Sequence, residues 1–215
     1  MRPLVDKTLQ STTFRDDVDF MQILNHYVHT ERCLLLTTLF CTIKISNYST
    51  TDTHKNSIDI VGYFLQDNLV TSKLEQITIQ TVQNLLHIFL YKNVFSYKDK
   101  IYTCTKHSPN TMSLTDTLSN IYLSVWQTRI LKQLRQNNEL FGRYKDQIFF
   151  IWNSSNAEDL NAFLQTIRDK FPTVQFQKLI RSSVPFLGAY IANRQGKLFS
   201  RVVHHPIIQN YTLPS

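Results

Sequence analysis

The residues best suited to chemistry lie in one short stretch, Gly142-Arg143-Tyr144-Lys145-Asp146-Gln147-Ile148-Phe149-Phe150-Ile151-Trp152. Two apolar-aromatic runs, Phe141–Tyr144 and Gln147–Trp152, meet at Lys145-Asp146, which reads as a tight hairpin with an aspartate at its tip. An aspartate in that place either ligates a hard cation through its oxygens or simply forms the turn, for which its side chain is suited. Arg143 and Lys145, with Lys132 and Arg135 upstream, offer either phosphate contacts or an ordinary solvated face. Tyr144, Phe149 and Phe150 are core residues or stacking surfaces. Other candidates carry less. His26, His29, His204 and His205 have no carboxylate or cysteine beside them, so a metal site is not expected there. Cys33, Cys41 and Cys104 are odd in number and widely spaced, which predicts no disulfide framework or zinc site and a reducing, intracellular location. The N-x-S/T triplets at Asn47, Asn153 and Asn210 are read as chance matches.

The elements that must carry this hairpin follow from periodicity. Leu34 to Ile45 is apolar and β-branched and predicts a buried strand. Ile58, Val61, Leu65 and Leu69 predict a helix over Asn56–Asn68, and Val82, Leu85, Leu86, Phe89 and Leu90 another from Thr78. Val94–Tyr97 and Ile101–Thr105 read as a small hairpin, and Leu114, Leu118, Ile121 and Val125 as a helix continuing to Arg135. After the Asp146 hairpin, Ser155 and Glu158 form a capping box for a helix striped by Leu160, Phe163, Leu164 and Ile167, which Pro172 ends. Val184–Ala192 and Lys197–Val203 flank Asn193-Arg194-Gln195-Gly196 as a second hairpin. Helices beside a mainly antiparallel sheet make the fold class α+β. The first thirty residues are the least patterned.

Composition bounds the function. At 215 residues, 42% of them hydrophobic, the chain can bury a core without staples. No apolar run reaches the roughly 18–20 residues that span a bilayer, so no membrane role is expected. The N-terminus lacks an apolar run of signal-peptide length. Of 23 basic and 16 acidic residues, eleven basic and five acidic lie between Ile130 and Arg201, so +6 of the +7 net charge sits there. A basic half suits a polyanion such as RNA or DNA. Glycine is scarce, four in 215, against a usual share of about 7%, which counts against any glycine-rich loop.

The stretch Arg143-Tyr144-Lys145-Asp146-Gln147-Ile148-Phe149 resembles the catalytic hairpin of reverse transcriptases, which the family writes Arg-Tyr-x-Asp-Asp-Ile-Phe. Two further blocks agree. Lys98-Asp99-Lys100-Ile101-Tyr102, Ser108-Pro109 and Leu118-Ser119-Asn120-Ile121-Tyr122 resemble the family's substrate-groove segment. Phe186-Leu187, Ile191, Gly196, Leu198 and Pro206 resemble the segment that follows the catalytic hairpin. The likeness runs from about Leu34 to Pro206 and is similar above all to the reverse transcriptases of Penelope-like retroelements. It implies a polymerase palm with an antiparallel sheet, packed helices, partial fingers and no thumb. It divides the chain into an extension (1–33), a palm and fingers domain (34–206) and a tail (207–215).

The departures from that pattern bear on function. Polymerases use two divalent ions about 3.5–4 Å apart, and such ions need several converging carboxylates. Of the three that the resemblance implies, Asp146 alone remains. The second hairpin position is Gln147, and aligning Asn47-Tyr48-Ser49-Thr50 with the family's Leu-Tyr-Thr turn puts Ile43 at the strand position, with Lys44 beside it. Asp52 or Asp59 would have to substitute, and both follow the strand. Where the groove takes glycine, this chain has His107 and Thr111. The resemblance therefore implies a reverse-transcriptase-like protein of retroelement descent without polymerase activity, at most binding nucleic acid or a protein partner. Asp146 is then its sole catalytic or metal-ligating candidate, and Arg143, Tyr144, Lys145, Lys106, Ser108 and Asn120 are its nucleic-acid contacts. No cofactor is expected. Mg²⁺ enters only if the chain is instead an active RNA-directed DNA polymerase using substitute carboxylates. The remaining alternative is a structural or non-functional fragment.

Overall fold

The computed structural model describes residues 1–31, 34–46, 48, 53–71, 73–92, 94–103, 114–153 and 156–202. Its helices are α1 (Arg2–Leu9), α2 (Asp17–His26), α3 (His54–Asn68), α4 (Ile79–Tyr91), α5 (Thr115–Gln136) and α6 (Ala157–Lys170). Its strands are β1 (Leu39–Ile45), β2 (Lys73–Leu74), β3 (Ile77–Thr78), β4 (Val94–Tyr97), β5 (Lys100–Thr103), β6 (Phe141–Tyr144), β7 (Gln147–Trp152), β8 (Phe176–Arg181), β9 (Ser183–Phe186), β10 (Ala189–Arg194) and β11 (Lys197–Val202). The fold is α+β, with antiparallel pairing of β1 with β7, β6 with β7, β9 with β10 and β10 with β11.

The chain forms two units, one of residues 1–10, 45–129 and 170–175, the other of residues 11–44, 130–169 and 176–215. The first is helical. Ile58, Val61 and Leu65 of α3 pack with Val82, Leu86 and Leu90 of α4 and with Ile121 of α5. Val5 and Leu9 of α1 complete that core, so residues read from the sequence as an unpatterned extension are part of it. Threonine caps fix where the two central helices begin. The Thr53 hydroxyl accepts from Asn56 N at 3.3 Å and that of Thr78 from Thr81 N at 3.2 Å, each satisfying an otherwise unpaired first-turn donor.

The second unit holds a four-stranded sheet in the order β6-β7-β1-β8 and a three-stranded sheet in the order β11-β10-β9. The sequence predicts a single strand over Val184–Ala192. The structure breaks it at Leu187-Gly188, whose φ values of 43° and 72° turn the chain back into a further hairpin. Between the sheets lies an aromatic core centred on α2. The Phe20 ring meets Phe14, Phe149 and Phe186 edge-on, with centroids 5.0, 5.0 and 4.8 Å apart. Edge-to-face geometry lets the positive ring edge meet a negative face, and pairs of this kind add about 0.5–1.5 kcal/mol beyond area burial. The extension predicted over 1–33 thus supplies Phe20 and Leu24 to this core as well. The cap of α6 lies one residue beyond the predicted box: Asn156 Oδ1 accepts from Asp159 N at 2.9 Å, and Ser155 is outside the described residues.

Candidate functional site

The predicted hairpin forms as the sequence implies. β6 pairs with β7 from Phe141↔Phe150 to Tyr144↔Gln147, leaving Lys145 and Asp146 as a two-residue turn. Lys145 takes φ 51°, a left-handed conformation that L side chains rarely adopt and that the surroundings must enforce. Arg143 does so from below. Its Nη1 donates to the Lys145 carbonyl oxygen at 2.9 Å. Arg143 is fully buried, with 0% exposure, so the reading of it as a phosphate contact is corrected. A guanidinium with no solvent-facing surface braces the turn from inside the fold and does not reach for a ligand. The other side of the hairpin is held by Phe14, whose N donates to Arg143 O at 2.8 Å and whose ring lies against Gly142 where any Cβ would stand.

β1 runs beside β7 in the register Ile43↔Ile148 and Lys44↔Gln147. Successive strand residues point to opposite faces, and this decides which of the two neighbours addresses the turn. Ile43 is 1% exposed and packs into the core. Lys44 stands on the other face, and its Nζ lies 3.6 Å from Asp146 Oδ2. Lys44, rather than Ile43, is therefore the residue that meets Asp146. Alternation along β1 separates Lys44 from Ile43 in the sequence, but only the β1–β7 register shows which of the two faces the turn. An ammonium occupies the place beside the carboxylate where a cation would sit. Gln147 adds no charge, and among the described residues no three His, Cys, Asp or Glu side chains gather to hold a metal ion. The arrangement can form an ion pair at an exposed tip. Clamping two divalent ions takes several converging carboxylates, and the turn itself contributes one.

The remaining predicted site residues fall in different places. Tyr144 is half-buried, and the exposed Lys145 lies with Nζ 5.5 Å from its ring centroid. Asn120 belongs to the first unit, where its Oδ1 accepts from the Tyr48 hydroxyl at 3.1 Å. Asp59 lies on α3 in that unit. Lys106, Ser108, His107, Thr111, Asp52, the block Val203–Pro206 and the tail 207–215 lie outside the described residues.

The backbone matches telomerase from Candida tropicalis, truncated from its C-terminal domain, with a TM-score of 0.68 at 12% identity, over 93% of this chain and 44% of that one. It matches telomerase from Candida albicans in complex with the TWJ fragment of telomeric RNA at 0.71 and 10% identity, over 98% and 39%. The fold is polymerase-like. A BmCPV RNA-dependent RNA polymerase at its elongation state agrees more distantly, at 0.54 and 12% identity over 88% of this chain and 18% of that one. This polymerase-like chain spans less than half the length of the telomerases it matches. No family model matches it, and neither does any curated protein. No described helix is long and apolar enough to cross a membrane.

Proposed function

We propose that this chain is a reverse-transcriptase-like protein of Penelope-like retroelement descent that has kept the polymerase fold without polymerase chemistry, and that it binds nucleic acid. The observation that carries the proposal is the Lys44–Asp146 contact, 3.6 Å long, at the tip of the hairpin. A polymerase needs two divalent ions there, held by converging carboxylates. The turn offers one carboxylate, that of Asp146, with the Lys44 ammonium against it. The retained scaffold supports descent from a polymerase: the buried Arg143 brace, the strained Lys145 and the packed Phe149 keep the hairpin's shape. The basic half, +6 between Ile130 and Arg201, supports a polyanionic partner. No cofactor enters this reading.

The test is primer extension by the full chain on RNA and DNA templates with Mg²⁺ or Mn²⁺. No templated product above a heat-inactivated control is expected. Templated extension that disappears in Asp146→Ala would overturn the proposal and favour an active enzyme with substitute ligands.

A further inference from the structure

From Lys170 to Ser215 the chain contains no aspartate or glutamate, while Lys170, Lys178, Arg181, Arg194, Lys197 and Arg201 all fall in that span. The last three share one surface. β10 pairs with β11 in the register Tyr190↔Arg201, Ala192↔Phe199 and Arg194↔Lys197, which puts all six residues on the same face of the three-stranded sheet. The opposite face, through Val184, Phe186, Ala189 and Ile191, is buried in the aromatic core. Arg194, Lys197 and Arg201 are exposed.

Two of the cations are already stacked on rings. The Arg194 guanidinium carbon lies 3.5 Å from the Phe199 ring centroid, and that of Arg201 lies 5.0 Å from the Tyr190 centroid. A guanidinium over an aromatic ring is held by the ring's quadrupole and loses rotamer freedom before any partner arrives. Its outward surface is planar and its edge carries N–H donors. These are the two things a single-stranded nucleic acid needs, a flat platform for an unpaired base and charge-assisted donors for a phosphate. Side chains on one face of a strand recur about every 6.8 Å, so the stripe presents its cations in a row along the strands. A duplex hides its bases from such a platform, and an acidic peptide has no use for it. The turn that aligns the stripe is Gln195-Gly196, with φ values of 55° and 82°.

We infer that the outer face of the β9–β11 sheet, through Lys197 and through Arg194 and Arg201 stacked on Phe199 and Tyr190, binds single-stranded nucleic acid. The inference rests on the nucleic-acid-binding part of the proposed function and assigns it a surface on the three-stranded sheet.

The experiment is fluorescence anisotropy of the full chain with a labelled uridine-rich RNA of about twelve nucleotides, from 50 to 200 mM salt. Three neutralised phosphates give a slope of log K on log salt near −2, about a twentyfold loss across that range. The variant Arg194→Gln/Lys197→Gln/Arg201→Gln is expected to bind at least about tenfold more weakly at 50 mM, with the slope shallower by about 2. Circular dichroism checks that it folds. The control Lys55→Gln/Lys73→Gln/Lys92→Gln, with the same net charge, is expected to bind as the wild type does. The variant Arg194→Lys/Arg201→Lys keeps the charge and loses the planes, and is expected to lose several-fold in affinity at an unchanged slope. If the triple glutamine variant binds like the wild type, this surface is wrong while nucleic-acid binding stands. If the wild type itself does not bind at 50 mM salt, both fall. Displacement of the RNA by polyglutamate as readily as by unlabelled RNA would also overturn the inference, because the face would then read charge alone.

Discussion

Changing Lys44 and Gln147 together to aspartate tests whether the ion pair at the hairpin tip is what bars divalent ions. At 3.6 Å, two unit charges interact by about 1 kcal/mol in bulk water and about 5 kcal/mol at an effective dielectric of 20. Lys44 is 63% exposed and Asp146 28%, which places the pair near the aqueous end, at about 0.5 kcal/mol net. Losing Lys44 therefore costs the fold little, while its ammonium is a full charge of the wrong sign for an incoming cation. Lys44→Asp/Gln147→Asp sets three carboxylates around the turn. For a weak oxygen site with a Kd of about 1 mM, 10 mM MgCl₂ stabilises by about 1.4 kcal/mol. That raises Tm by about 3–6 °C in a chain of this length. Thermal melts in MgCl₂ or MnCl₂ against EDTA read it directly. Without the ion, the variant should melt below the wild type, because its carboxylates repel. The wild type should show no divalent-dependent shift. A wild-type rise of the same size that vanishes in Asp146→Asn would refute the reasoning, since an ion would then be binding beside the ammonium.

Three further outcomes follow from the second unit. Gly142→Ala sets a Cβ into the Phe14 ring and should cost about 1–3 kcal/mol in urea unfolding, with part of the loss recovered when Phe14→Leu is added in a double-mutant cycle. Burial raises the Cys41 thiol above its ordinary value of 9.0, with the charge of Lys178 opposing only in part. The unfolded chain therefore ionises this group while the folded one does not, so stability is kept below pH 9 and falls as the pH rises above it; urea midpoints from pH 8 to 10.5 should show this slope, reduced in Cys41→Ala. Asn193→Ala removes donations to the Leu35 and Thr38 carbonyls at 2.7 and 3.2 Å and the acceptor for Gly196 N at 2.9 Å, and should lower the free energy of urea unfolding by about 1–3 kcal/mol.

Much of the local structure was legible because it is written in short-range pattern. The period of Ile58, Val61 and Leu65 needs only its own helix to be recognised, and α3 forms over His54–Asn68, close to the expected Asn56–Asn68. The hairpin needs only two apolar runs and a two-residue turn, and both strand bounds agree. What escaped depends on partners distant in sequence. The helices α1 and α2 are short, eight and ten residues, and their burial comes from Phe149, Phe186 and the α3–α4 core, far away in the sequence. The strand break at Leu187 lacks a strong turn signal beyond the single Gly188.

The candidate site divides in the same way. The sequence by itself determined that Asp146 stands at a turn without acidic neighbours, because residue identity and hairpin pattern suffice for that. It also determined the acid-free stretch from Lys170 onward. Only the tertiary structure decided that Lys44 and not Ile43 meets Asp146, since the choice turns on which face of β1 looks towards the turn in the β1–β7 register. It also decided that Arg143 braces the turn from a fully buried position, and that Arg194 and Arg201 lie stacked on Phe199 and Tyr190. A charge in a sequence has a sign but no direction. Burial and cross-strand register give it one.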